Sequence, residues 1–236
     1  MIKTKFVILA GGFGTRLKEV VKDVPKTLAP VNNKPFLYYS LKKWTNEGFS
    51  DFLFLLYYQA DQIIEFLDSI KKENWAKSIS IEVIVEDKPL GTAGSVANAI
   101  RKEKILEPFV LTNSDTWISS NLKDIVFANT NTIAVIRVED CARYGTVEIK
   151  ENKIIQFNEK SEFSNKYINS GVYYLEPSVF KHWDGNRLSI ETDIFPNMSK
   201  NNLLEPFYLK GEFIDIGVPK DYIKFCNKVI MDKIIP

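Results

Sequence analysis

Phe6-Val-Ile-Leu-Ala-Gly-Gly-Phe-Gly-Thr-Arg-Leu17 runs from an apolar strand directly into a glycine-rich loop, and Val24-Pro-Lys26 follows closely. Gly11, Gly12 and Gly14 permit positive φ and close backbone approach, so successive amides can point at anionic oxygens, while Arg16 and Lys26 add fixed positive charge. The combination predicts a polyphosphate site of the kind that takes a nucleoside triphosphate. A Walker loop would need Lys-Ser or Lys-Thr after its last glycine, and a dinucleotide fingerprint would need a small residue where Leu17 stands. A tight turn alone would explain the glycines but not the two cations beside them.

Working outward from the loop, short apolar runs alternate with segments of helical period, the pattern of a mostly parallel sheet with crossover helices. Strands are expected over Phe6 to Ala10, Phe52 to Tyr57, Ile81 to Glu86 and Phe109 to Thr112. Helices are expected over Pro35 to Glu47, Ala60 to Lys72 and Thr92 to Lys102, the last with Thr92 as a suitable N-cap. After this doubly wound layer the texture becomes strands with short turns: Thr132 to Val138, Thr146 to Ile149, Lys153 to Phe157 and Tyr167 to Leu175, with Glu151-Asn152 as a hairpin turn. The chain is therefore read as one α/β domain, with residues 1–130 as a nucleotide-binding half and residues 131–236 as a small β-rich half for a second substrate. The glycine loop, Glu86 and Asp115 all fall at carboxyl ends of strands, where open α/β sheets bind ligands.

Composition narrows the class. With 45% hydrophobic residues in 236, the chain can bury a substantial core, and a net charge of +1 argues against a nucleic-acid partner. Cys141 and Cys226 fit neither a metal spacing nor a disulfide framework, which makes a reducing cytoplasm the default. The Phe6 to Ala10 run is too short for a signal-peptide core, and Phe52 to Tyr58 is too short for a membrane span. Tyr38, Tyr39, Phe207 and Tyr208 serve equally as core or as a dimer patch, so monomer and homodimer both stand.

Further motifs extend the loop's message: Glu86-Asp-Lys-Pro-Leu-Gly91-Thr92, Asn113-Ser-Asp115-Thr, Arg143-Tyr-Gly145, Phe157-Asn-Glu159-Lys160, Asn169-Ser-Gly171, Ile190-Glu-Thr-Asp-Ile-Phe-Pro196 and Phe213-Ile-Asp215-Ile-Gly217. In this order, and over nearly the whole chain, they resemble the sugar nucleotidyltransferases, or nucleoside-diphosphate-sugar pyrophosphorylases. The resemblance implies a Rossmann-like fold and transfer of a nucleotidyl group from a nucleoside triphosphate to a sugar 1-phosphate. It implies a nucleotide site at Leu9, Ala10, Gly11, Gly12, Gly14, Thr15, Arg16, Lys26, Glu86, Gly91 and Thr92. It likewise implies a sugar-phosphate site at Gly145, Glu159, Lys160, Asn169 and Gly171, and Mg²⁺ held by Asp115 and Asp215. Chain length leaves no room for the β-helix domain that some relatives append, so no acetyltransferase activity is expected.

The chemistry suits these residues. A phosphate nucleophile with a second pKa of ~6 needs no strong general base, which agrees with a chain whose only histidine, His182, lies outside every motif. Catalysis then rests on positioning and charge neutralisation by Arg16, Lys26, Lys160 and a metal held by carboxylates. Asp115 follows an apolar strand and Asp215 sits between isoleucines, so each acid needs a reason to be there. Glu86, an acceptor when ionised, matches the adjacent imino and amino donors of guanine better than the single imino donor of uracil or thymine.

Within the family, Ala29-Pro-Val-Asn-Asn-Lys-Pro-Phe36 and Phe213-Ile-Asp-Ile-Gly-Val-Pro-Lys-Asp-Tyr222 most resemble short guanylyltransferases that act on D-glycero-α-D-manno-heptose 1-phosphate for bacterial surface polysaccharide. Mannose 1-phosphate is the nearest competitor, followed by thymidylyl, uridylyl or cytidylyl transfer. A catalytically silent regulatory paralogue should have lost a phosphate or metal group, yet Arg16, Lys26, Asp115, Lys160 and Asp215 are all present. The chain departs from the family pattern at Thr27, where proline is frequent, at Ser114, where glycine is usual, and at Val218, where threonine is common.

Overall fold

The computed structural model describes residues 1–158, 164–231 and 234. Its strands are β1 (Phe6–Leu9), β2 (Pro30–Val31), β3 (Lys34–Pro35), β4 (Asp51–Leu56), β5 (Ser80–Val85), β6 (Phe109–Asn113), β7 (Thr116–Ile118), β8 (Thr132–Asp140), β9 (Thr146–Lys150), β10 (Lys153–Asn158), β11 (Ser164–Leu175), β12 (Glu205–Leu209) and β13 (Phe213–Asp215). The α-helices are α1 (Phe36–Asn46), α2 (Ala60–Ile70), α3 (Gly91–Glu103), α4 (Phe195–Lys200) and α5 (Pro219–Ile230).

Nine strands form one mixed sheet. From edge to edge its backbone order is β12-β8-β11-β6-β1-β4-β5, with the β9–β10 hairpin attached to the first half of β11. All run one way except β10 and β11. The fold is thus the α/β, mostly parallel arrangement expected. Central β1 and β4 are apolar almost throughout because parallel strands covered by helices on both faces never meet water. Phe6 and Ile8 point to the face packed by Leu37, Leu41 and Trp44 of α1 and by Ile63, Leu67 and Ile70 of α2. Val7, Leu53 and Leu55 point to the opposite face, under Ala93, Val96 and Ala97 of α3 and Phe195 and Met198 of α4.

Two smaller devices set the site. The β7–β13 ribbon pairs Thr116 with Asp215, and α5 docks behind it through Phe225 and Val229. The β9–β10 turn carries Glu151 and Asn152 at φ 49° and 59°, the positive angles that a two-residue hairpin of this hand requires. One expectation is corrected. Thr92 does not cap α3, which begins at Gly91 with Leu90 as N-cap and no capping side chain. The Thr92 hydroxyl instead accepts from the Ile190 amide and donates to Glu191, each at 2.8 Å, which ties the helix start to a crossing segment.

Candidate active site

The carboxyl ends of β1, β4, β5 and β6 frame a cavity of about 370 Å³. Its floor is the glycine loop. Gly11 packs so tightly that an added Cβ would lie 3.1 Å from the Tyr57 Cβ, whereas Gly12 has nothing within 4 Å of that position. Gly14, at φ 59°, turns the chain into the short helix Thr15–Leu17. Pro25 then leads into a second helical turn, Lys26–Leu28, which brings Lys26 over the loop into an ion pair with Asp115. The neighbouring Thr27 hydroxyl donates a 3.2 Å hydrogen bond to the Ser114 carbonyl. Two departures from the family pattern therefore meet each other. The Cβ of Ser114 costs no backbone strain, since its φ is not positive.

A second cavity, of about 650 Å³, opens on the side of β11 and the β9–β10 hairpin. Asn113, Asp115 and Glu191 line both. Asp215 lines the second cavity beside Asp115: the Ile216 amide donates 3.0 Å to the Asp115 carbonyl, and the Gly217 amide donates 2.7 Å to Asp215 Oδ1. Burial pushes the Asp215 carboxyl above its usual range and the charge of Asp115 adds to this, with the Gly217 amide, Lys26 and Arg16 opposing. Two adjacent carboxylates form a donor set suited to a small divalent cation. Among the described residues no third carboxylate, histidine or cysteine joins them. Such a pair fits Mg²⁺, which keeps waters and takes one or two carboxylates plus substrate phosphate oxygens.

The sequence-derived residues divide between the cavities. Leu9, Ala10, Gly11, Gly12, Lys26, Glu86, Gly91 and Thr92 line the first. Gly145, Asn169 and Gly171 line the second, and so does Arg16, which the sequence grouped with the triphosphate. Gly14 and Thr15 line neither; they build the turn that aims Arg16. Glu159 and Lys160 lie outside the described residues. Glu86 follows β5, and its Oε2 accepts a 3.0 Å hydrogen bond from the Leu90 amide, leaving Oε1 for a ligand. Asn169 donates 3.1 Å to the buried Tyr173 hydroxyl and, through Oδ1, accepts 3.0 Å from the Gly171 amide.

Asn113, Tyr57, Arg187 and Glu191, which the sequence does not single out, also line the first cavity. Only Asn113 and Glu191 stood within motifs already quoted, which was the available signal. On the second cavity, Arg143 bonds both the Tyr144 hydroxyl and Asp221 of α5, so it ties the loop before β9 to the helix that follows Asp215. No helix is long and apolar enough to cross a membrane among the described residues.

Comparison with known proteins gives the chain's relatives. The sequence profile described as "Nucleotidyl transferase" matches residues 5–231. The mannose-1-phosphate guanyltransferase of Schizosaccharomyces pombe is 35% identical over 231 residues, which cover 93% of this chain but only 62% of that protein. The D-glycero-alpha-D-manno-heptose 1-phosphate guanylyltransferase of Aneurinibacillus thermoaerophilus is 33% identical over 224 residues, covering 92% of this chain and 95% of that one. HddC from Yersinia pseudotuberculosis, solved in complex with GMP-PN, superposes with a TM-score of 0.83 at 34% identity, over 96% of this chain and 99% of that one.

Proposed function

The chain belongs to the nucleotidyl transferase family, and on that footing we propose that it joins a nucleoside triphosphate, GTP, to a sugar 1-phosphate, releasing pyrophosphate and a nucleoside-diphosphate sugar. The observation that carries the reading is Asp115 on the wall common to two cavities, with Asp215 beside it and Lys26 paired to it. One cavity suits the nucleotide and the other the sugar phosphate. The first is lined mainly from residues 1–130, with Arg187 and Glu191 added from residues 131–236, and the second draws on both halves.

In the reaction, a phosphate oxygen of the sugar phosphate attacks the α-phosphorus while the bond to the β-phosphate bridging oxygen breaks, and the leaving pyrophosphate keeps that electron pair. The nucleophile is already charged, so positioning and neutralisation do the work. Backbone amides of Gly11 and Gly12 receive the triphosphate, Lys26 meets its charge, and Arg16 bridges toward the second cavity. Lys160 meets the incoming phosphate, while Glu159, Gly145, Asn169 and Gly171 take sugar hydroxyls. Asp115 and Asp215 would hold Mg²⁺, whose charge would offset that of the phosphates when bound.

Glu86 at the rim of the first cavity favours guanine, and resemblance to the full-length heptose enzyme favours D-glycero-α-D-manno-heptose 1-phosphate as acceptor. Mannose 1-phosphate is the second reading, favoured by 35% identity to the yeast enzyme. The product would feed surface polysaccharide synthesis from the cytoplasm, with the protein a monomer or homodimer. A pyrophosphate-release assay crossing four nucleoside triphosphates with heptose, mannose and glucose 1-phosphates tests the whole reading. GTP with a manno-configured sugar phosphate should turn over fastest, and absence of pyrophosphate from every combination with Mg²⁺ would remove it.

A further inference from the structure

Arg187 lies in none of the family motifs, yet it lines the nucleotide-side cavity together with Glu86. Its root is fixed. The Leu188 amide donates 2.8 Å to the Leu90 carbonyl, and the Leu188 carbonyl accepts from the Ala93 amide at 3.0 Å, so residues 187–188 lie against the start of α3. The Arg187 Cγ is 3.2 Å from where a Gly91 Cβ would stand, while Glu86 is bonded to the amide of Leu90 next door. The stem of Arg187 and the carboxylate of Glu86 thus meet the same Leu90-Gly91 dipeptide. Arg187 makes no hydrogen bond or ion pair among the described residues, in contrast to Lys26, which is committed to Asp115.

We infer that Arg187 is a specificity residue for the nucleobase, donating paired hydrogen bonds to O6 and N7 of guanine while Glu86 accepts from N1–H and the exocyclic amine. This deepens the guanine reading and rests on it. Three physical arguments support it. A carboxylate pressed against a neutral base carries uncompensated charge, and a neighbouring guanidinium removes that cost. The planar fork of arginine matches the O6/N7 pair, whereas adenine presents an amine donor where O6 would be and meets the guanidinium donor to donor. Lys26 is paired with Asp115 and Arg16 lines the second cavity, whereas Arg187 lines the first with Glu86 and is rooted against the Leu90-Gly91 dipeptide whose amide Glu86 accepts.

Chemical editing of the base separates this role from a phosphate contact. Dissociation constants would be measured by calorimetry with Mg²⁺ for GTP, 7-deaza-GTP and ITP, using the wild-type chain, Arg187→Gln and Arg187→Lys. Wild type should bind 7-deaza-GTP, which lacks the N7 acceptor, about tenfold more weakly than GTP. Arg187→Gln should lose about tenfold or more on GTP and show no further loss on 7-deaza-GTP. Arg187→Lys, which keeps the charge but not the fork, should not restore it. ITP, lacking only the amine read by Glu86, should keep the same penalty in all three proteins. If wild type prefers GTP but is indifferent to N7, or if Arg187→Gln weakens GTP and 7-deaza-GTP equally, the Arg187 assignment falls and guanine stands. If wild type prefers another base or binds no nucleotide, both fall.

Discussion

The Thr27 hydroxyl donates a 3.2 Å hydrogen bond to the Ser114 carbonyl, fastening the turn that carries Lys26 to the strand end that carries Asp115. A second backbone tie, from the Ile216 amide to the Asp115 carbonyl, brings Asp215 to the same place. These two ties run through a hydroxyl, an amide and carbonyls, so they hold the site together independently of the Lys26–Asp115 ion pair.

Asp115→Asn should for that reason keep the fold and lose the chemistry. Turnover is expected to fall by at least about a hundredfold, the usual cost of removing one group that stabilises transition-state charge. The thermal midpoint should stay close to wild type. Pyrophosphate release and a melting curve on the same preparation check both halves, and near-normal turnover would take Asp115 out of the metal site.

Glu86→Gln isolates charge from geometry. The amide oxygen of glutamine can still accept from the Leu90 amide, as Glu86 Oε2 does at 3.0 Å, so the turn into α3 should persist. What disappears is a pure acceptor facing the base. The ratio of kcat/KM for GTP over UTP should drop by about tenfold or more; an unchanged ratio would mean that the side chain does not read the base.

How much was legible depended on whether a feature was local. The apolar strands Phe6–Leu9 and Phe109–Asn113 and the hairpin at Glu151-Asn152 announce themselves in composition and turn chemistry, and each lies within a residue or two of its expected place. Glu205–Leu209 is hard to read as a strand from sequence, since Pro206 is tolerated only at a sheet edge, which is where this strand lies beside β8. Thr92 looked like a cap because a hydroxyl before a helix usually is one; here a distant segment, Ile190-Glu191, claims that hydroxyl. Arg187 gains meaning only from its long-range approach to Gly91, and the bond of Arg143 to Asp221 is likewise one that no spacing rule encodes.

Glycines at the site separate folding from binding. Gly91 has φ 75°, and an added Cβ would lie 2.5 Å from the Leu188 carbonyl oxygen, a backbone atom that cannot step aside. Gly91→Ala is expected to cost about 2 kcal/mol or more, combining a left-handed conformation with a clash. Gly12→Ala meets no atom within 4 Å and should leave stability unchanged. It does line the nucleotide-side cavity, so its Cβ would crowd the bound phosphates and raise KM for the triphosphate. Urea midpoints and KM values measured on both variants would show the two effects crossing; equal stability losses would contradict the assignment.

Glu212 gives a pH-dependent test of how Asp215 is supported. It precedes β13 and bonds Lys224 at 2.9 Å and Lys228 at 2.8 Å on α5, pinning that helix to the strand that ends in Asp215. Burial pushes the Glu212 carboxyl up, but the ammonium groups of Lys228 and Lys224 outweigh it and hold it below its usual range. A carboxyl depressed in the folded state stabilises fully above its unfolded pKa and loses that contribution as pH falls through the folded one. Glu212→Gln should therefore lower stability at neutral pH by no more than about 1 kcal/mol, since solvent screens a partly exposed pair. The difference from wild type, compared at neutral and at acid pH, should close once the acid pH lies below the folded-state pKa, and it should shrink in high salt. Denaturant midpoints at both pH values read the result directly, and a deficit that persisted in acid would mean that Glu212 acts through packing and not through its charge.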